Sequence, residues 1–215
     1  AVFCLPKPQA RLPLLWYAMV ALSIRQDESA IMVWMCPHCA QPLEACESGL
    51  YCVNGHRFDR AREGYVNLLP VQHKRSKNPG DNSEMVRGRR ALHQAQLYRP
   101  LAEALCNLVA TCTDVSTLLD IGCGEGYYDG MLSVCLPDLS VYGVDIAKAA
   151  VRLAARDYRC HDYAVASSRN LPVMTSSIDL AMCIFSPVND SEVARAVRPN
   201  GYYLEVGPAA QHLWE

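Results

Sequence analysis

No apolar run in this sequence of 215 residues reaches the roughly 20 that a membrane-spanning helix needs. The longest, Leu12 to Ile24, stops at 13 residues, and no small-x-small cleavage pattern follows it despite Lys7 and Arg11 upstream. An excess of positive charge is missing too. The formal net charge is -2, so any hold on nucleic acid must be local rather than spread over the molecule. Eleven cysteines do not make a disulfide scaffold, because Cys106, Cys123, Cys135 and Cys183 sit singly in apolar runs. They read as small buried hydrophobes of a reducing, cytoplasmic protein. With 51% hydrophobic and 20% charged residues, a packed core is expected and wholesale disorder is excluded. The length suits one medium domain and a small accessory one. The chain begins at Ala1, and residues 1–34 read as an extension outside the folded part, with Met32 or Met35 as a natural start.

Only Cys36, Cys39, Cys46 and Cys52 cluster, in "CPHCAQPLEACESGLYCVNGHRFD". Two knuckles are visible there, Cys36-x2-Cys39 and Cys52-x3-His56, with Pro37 and Pro42 stiffening the first and Gly49 and Gly55 permitting turns. That spacing suits four tetrahedral ligands of a structural Zn2+, with Cys46 and His38 as disfavoured competitors. No coordination position is left for chemistry, so the metal holds a shape and contributes about 10–16 kcal/mol of folding energy in comparable peptides. The segment after it, Arg57 to Arg90, carries nine Lys and Arg against four Asp and Glu. Phe58 and Tyr65 are interleaved, which suits phosphate contacts and stacking on unpaired bases. Lys74, Arg75, Lys77, Arg87, Arg89 and Arg90 are its candidate RNA contacts. "NPGD" marks a turn, Asp81 with Glu84 fits a capping box, and Pro100 opens a helix with Leu101, Leu105, Leu108 and Val109 on one face.

"TLLDIGCGEGYYDGML" is the second strong signal. A buried strand runs into Asp120, and Gly122, Gly124 and Gly126 alternate before a helix, so the backbone can approach a ligand closely. Asp145 ends the next strand and is placed to accept bonds from the two ribose hydroxyls of a nucleoside cofactor. The order D-x-G-x-G-x-G resembles the class I S-adenosylmethionine-dependent methyltransferases rather than the dinucleotide fingerprint. Strands are expected at Leu118–Ile121, Ser140–Val144, Tyr163–Val165, Asp179–Ile184 and Tyr202–Val206.

The two modules together, with "EGYVNLLPVQHKR" between them, resemble the bacterial large-subunit (23S) rRNA guanine-N1 methyltransferases over Cys36 to Glu215. The resemblance implies an α/β fold, with a class I methyltransferase Rossmann-like sheet behind a small N-terminal zinc-binding module. It implies S-adenosyl-L-methionine as cofactor, methyl transfer to N1 of one guanine, and a 23S rRNA hairpin gripped by the zinc module. Tyr98, Gly124, Glu125 and His212 are carried over as cofactor contacts, and Ala166 and Ser167 fall where the family meets adenine. The domains expected are an extension at 1–34, a zinc-binding RNA-recognition module at 35–80, and a methyltransferase domain at 81–215.

Guanine N1 bears a proton at neutral pH, so a base should assist its removal. The sequence identifies none, and Asp190 is a weak candidate. Two other functions compete: a small-molecule methyltransferase, which has little use for a basic zinc module, and a catalytically impaired RNA-binding remnant. The resemblance also implies that the sheet is cut short after its fifth strand. Low solubility and weak turnover are then expected of residues 1–215, unless the extension or a second copy in a homodimer covers the edge.

Overall fold

The computed structural model describes residues 33–73 and 79–208. Lys74, Arg75, Lys77, His212 and most of the extension lie outside them. The first described part is a three-stranded antiparallel sheet, β1 (Glu44–Cys46), β2 (Gly49–Tyr51) and β3 (Arg57–Asp59). Then come β4 (Val66–Asn67), α1 (Ser83–Gln94), α2 (Arg99–Val109), β5 (Thr117–Ile121), α3 (Tyr127–Cys135) and β6 (Ser140–Asp145). The rest is α4 (Lys148–Asp157), β7 (Asp162–Val165), β8 (Ile178–Ile184), α5 (Asp190–Ala196) and β9 (Val197–Val206).

A parallel sheet of order β4-β7-β6-β5-β8-β9 organises the molecule. Its central strand β5 is buried at all five positions, as expected for a parallel strand covered on both faces. From β5 the chain first winds outward through β6 and β7, then returns to add β8 and β9 on the other side. That reversal opens a crevice beyond the carboxyl ends of β5, β6 and β8, where ligands of such sheets bind. The helices cover the sheet by their apolar stripes: α4 buries Ala150, Val151, Ala154 and Ala155, one turn apart in pairs.

The five strands expected from the sequence are present, and a sixth joins them. Val66 and Asn67 of "EGYVNLL" pair in parallel with Ala164 and Val165, so this segment closes the sheet on the side away from β9. Two residues are too few to show the alternation that marks a strand. Tyr65, read as a stacking residue, is 5% exposed and packs against α4 and β7. The helix α1 is capped by Asn82, not Asp81: its Oδ1 accepts from the N–H of Glu84 and of Met85, both at 2.9 Å. The buried face of α2 is Ala102, Leu105, Cys106 and Val109, while Leu108 is exposed. Cys135 is exposed, unlike Cys106, Cys123 and Cys183. The last strand starts at Val197, and residues 198–201 bulge from the pairing with β8, with Asn200 at φ 63°.

The small sheet is not a free appendage. Trp34 bridges Val173, its ring meets Tyr142 edge-on at 5.6 Å, and Arg60 pairs with Asp162 at 3.2 Å. Leu43, Leu50, Cys36 and Cys52 share one apolar cluster with Leu119, Ile121 and Val144 of the large sheet. No helix among the described residues is long and apolar enough to cross a membrane.

Candidate cofactor cleft and metal centre

Each cysteine knuckle is a tight turn closed by its own backbone. Ala40 N–H donates to the Cys36 carbonyl at 2.9 Å and Cys36 N–H to that of Gln41 at 2.8 Å. Gly55 N–H donates to the Cys52 carbonyl at 2.9 Å and Cys52 N–H to that of His56 at 3.0 Å. These turns bring one ligand atom each from Cys36, Cys39, Cys52 and His56 within 4.8 Å of one another. His56 Nδ1 lies 3.6, 3.4 and 3.3 Å from the sulfurs of Cys36, Cys39 and Cys52, and the last two sulfurs are 3.7 Å apart. Zinc bonds of about 2.3 Å to sulfur and 2.0–2.1 Å to nitrogen give a tetrahedron with edges of about 3.6–3.8 Å, so the donor set fits zinc. Burial pushes the Cys36 thiol up to about 11, whereas the Gln41 backbone N–H draws Cys39 down to about 6. Bound metal would hold all three as thiolates. The disfavoured competitors stand aside: Cys46 is exposed beside Ser48, and His38 stacks on Phe58.

The second site is a cleft of about 280 Å³ at the crevice of the large sheet. Gly122 has φ +85°, and a Cβ there would come within 2.1 Å of Ser186 Oγ. Only glycine lets the loop lie against the end of β8. Gly124 has φ +56° and faces open space, with no heavy atom within 4 Å of where its Cβ would be. Its N–H donates to Asp145 Oδ2 at 3.0 Å, and Ala147 N–H donates to Oδ1 at 2.7 Å. Burial raises the Asp145 carboxyl above its usual range while these two N–H groups oppose the rise. A carboxylate so held keeps lone pairs for two more donors.

Of the expected cofactor residues, Tyr98, Asp120, Gly122, Gly124, Glu125 and Asp145 line this one cleft. Gly126 stands behind it at the start of α3, where a Cβ would meet Tyr158 and Tyr163 at 2.9 Å. Both Glu125 oxygens are already engaged, Oε2 by Arg90 at 2.9 Å and Oε1 by His93 Nδ1 at 3.0 Å. Arg90 reaches on to Asp157 at 2.8 Å, and Arg89 lines the cleft while pairing with Asp81 at 3.0 Å. Two of the candidate RNA contacts therefore serve the cleft wall, and Arg87 stays exposed on α1. Asp190 lines a different hollow, with Arg198 and Tyr203.

Sequence reasoning missed His93, Tyr127, Tyr128 and Phe185, all of which line the cleft. The ring nitrogens and hydroxyls gathered near the glycine loop come from helices whose orientation no local pattern records. Buried polar atoms without partners point to a ligand here: both carboxyl oxygens of Asp120 and the Tyr127 hydroxyl. Together with the open space at Gly124 and the free lone pairs of Asp145, they fit S-adenosylmethionine.

The sequence matches two family models, one described as "RlmA, N-terminal" over residues 34–77 and one as "Methyltransferase domain" over residues 118–201. It is 37% identical over 184 residues to the 23S rRNA (guanine(748)-N(1))-methyltransferase of Streptomyces fradiae, covering 84% of this chain and 65% of that protein. A relative from Micromonospora griseorubida, provisionally named a 23S rRNA (guanine-N(1)-)-methyltransferase, is 32% identical over 84% of this chain and 67% of its own length. The chain belongs to the 23S rRNA guanine-N1 methyltransferase family. It spans about two thirds of the length of these relatives. A Methanococcus maripaludis protein provisionally named an S-adenosyl-L-methionine-dependent methyltransferase shares the fold, with a TM-score of 0.51 at 19% identity, over 61% of this chain and 67% of that one.

Proposed function

We propose that the protein transfers a methyl group from S-adenosyl-L-methionine to N1 of a guanine in 23S rRNA, acting in the cytoplasm. The observation that carries this reading is the union of the two sites. A Cys3His metal centre packs through one apolar cluster onto strands whose ends carry a cofactor cleft, and that pairing belongs to a family whose named members methylate 23S rRNA. Cys36, Cys39, Cys52 and His56 hold structural zinc, and residues 35–80 form the RNA-binding part with Lys74, Arg75 and Lys77 as phosphate contacts, joined by Arg87 from α1. Asp145 takes the ribose hydroxyls, while Asp120 and Gly124 face the amino-acid end. Bound cofactor supplies a methyl group on a sulfonium, already a good electrophile.

The residues of this chain therefore have alignment as their main task. Tyr98, Tyr127 and His93 wall the cleft and exclude water, and Arg90 ties α1 down across it. In the adjoining hollow, Asp145 and Ser167 stand on the side that takes ribose and adenine, and the acceptor side is the rim of Phe185, Ser186 and Pro187 beyond β8. A flipped-out guanine needs a stacking surface there, and Phe185 offers one, half-exposed beside Tyr98. Incubating the protein with labelled cofactor and unmodified 23S rRNA tests the reading. Label should enter one guanine, and reverse transcription should stop there because N1 methylation blocks pairing. Label transferred to small molecules but not to rRNA overturns it.

A further inference from the structure

The reading above gives Asp129 nothing to do. It lies in the first turn of α3 and is 0% exposed. Its Oδ2 accepts from the Tyr163 hydroxyl at 3.0 Å, and its Oδ1 has no donor. Asp120, 1% exposed, stands between it and the cleft, with no donor to either oxygen. Room for Tyr163 is kept at Gly126 and Gly143, where a Cβ would come within 2.9 and 2.5 Å of its side chain.

The Asp120 and Asp129 carboxyls lie within hydrogen-bonding reach of each other, and two such carboxylates removed from water cannot both stay ionised. If one keeps its proton and donates it to the other, an unpartnered oxygen on each side is satisfied at once. The groups around them supply no counter-charge. Asp145 faces the pair from the end of β6, Cys123 from the loop, Tyr128 from α3, Cys183 from β8, and Tyr163, Tyr158 and His161 from the β7 side. Burial keeps those tyrosines and Cys123 protonated and drives His161 toward its neutral form. Burial likewise raises both acids, Asp129 to about 6 and Asp120 well above the usual carboxylate range, with the charge of Asp129 adding to the second rise.

We propose that Asp120 and Asp129 hold one proton between them in the empty cleft, and that a cationic ligand expels it to solvent while a neutral one leaves it in place. S-adenosylmethionine carries one net positive charge, whereas S-adenosylhomocysteine, left after transfer, is a neutral zwitterion. Entry of the methyl donor is thereby favoured over retention of the spent product, which lets the pair recover its proton from water. Asp129 is a positioning residue in this scheme, acting through Asp120. The proposal rests on the cofactor named above and not on RNA as the acceptor.

Calorimetric titration of the whole chain at about pH 7, in two buffers of different ionisation enthalpy, counts the protons released per ligand bound. Release with S-adenosylmethionine should exceed release with S-adenosylhomocysteine by a sizeable fraction of one proton. The sulfonium makes the S-adenosylmethionine amine the more acidic of the two, and binding it in its charged form takes protons up, so the amines cannot produce the excess release. Asp129→Asn keeps the shape, offers Asp120 an amide N–H in place of a shared proton and should abolish the excess. Equal release by the two ligands from the unaltered protein overturns the proposal without need of a variant, as does an excess that survives Asp129→Asn. A protein that binds neither ligand overturns the cofactor reading and the proton pair with it. A protein that passes these tests yet methylates no rRNA leaves the pair standing and the RNA reading fallen.

Discussion

The imidazole of His93 lies flat on the ring of Tyr127, with centroids 4.2 Å apart and planes 7° from parallel. This stack joins α1 to α3 across one wall of the cleft. One turn earlier Arg90 reaches Glu125 and Asp157, from the glycine loop and from the end of α4. The only buried residue of α1 is Val86, so its seat over the cleft depends on these polar contacts more than on apolar burial.

Arg90→Ala should therefore loosen α1 without unfolding the sheet. Glu125, 8% exposed, would lose its strongest donor, at a cost of about 1–3 kcal/mol. Cofactor affinity is expected to fall by about tenfold, and the amides of α1 should exchange faster than those of α4. Unchanged exchange in α1 would show that the His93–Tyr127 stack suffices.

Zinc should be present at one ion per chain in purified protein, and a strong chelator should release three titratable thiols. Cys52→Ala should lose the metal, because two sulfurs and Nδ1 make an incomplete tetrahedron. The shared cluster that includes Cys36, Leu43 and Leu50 makes a further consequence visible. Removing the metal should lower the melting temperature of the whole described fold, not of the small sheet alone. Two separate transitions in calorimetry would contradict this coupling.

What the sequence reveals and what it hides divide along chain separation. The metal ligands stand in two local knuckles, and the glycine loop adjoins the strand and helix that it links, so spacing alone describes both. Arg90, Glu125 and Asp157 are 35 and 67 positions apart and meet only because α1 folds over the crevice. Asn82 and Asp81 are neighbours of equal capping ability, and only the chain's path decides that Asn82 Oδ1 reaches two N–H groups. On α2, Leu105 and Val109 are buried as expected and Leu101 packs beside them, but Leu108 is exposed, and Ala102 and Cys106, small and inconspicuous in sequence, complete the contact.

Asp179 anchors the end of the sheet remote from the cleft. Its Oδ2 accepts from the backbone N–H and the hydroxyl of both Ser116 and Thr117, at 2.8–2.9 Å, and its Oδ1 accepts from Arg198. Burial by itself would raise its pKa, but these donors bring it down to about 2. A carboxyl depressed in the folded state stabilises fully above its unfolded value, and the contribution disappears as pH falls through about 4 toward 2. On the order of 2–3 kcal/mol is at stake. Asp179→Asn should lower stability at pH 7 and flatten the acid limb of a denaturation series. An acid limb identical in the two proteins would mean that other carboxylates govern it.

Phe185 carries the last prediction, because its backbone and its side chain pull in opposite directions. It adopts φ +53°, a conformation that costs residues with a Cβ roughly 1–2 kcal/mol. The strain is held by the N–H of Phe185, which still donates to the Val206 carbonyl at 2.8 Å. Half-exposed, the ring repays little of that cost by burial. Strain of this kind beside a cleft fits a residue kept for what it touches in the complex, here the proposed target base. Phe185→Ala keeps the strain and loses the ring, whereas Phe185→Gly loses both. The glycine variant should be more stable than the alanine variant by about 1 kcal/mol, yet both should lose about ten- to a hundredfold in kcat/KM for rRNA, as one lost base stack of about 1–3 kcal/mol dictates. Phe185→Trp should retain most activity, and the affinity for S-adenosylmethionine should change little in all three. Full activity of the alanine variant would remove Phe185 from the acceptor site and leave its strained turn as a structural feature of the β8 end.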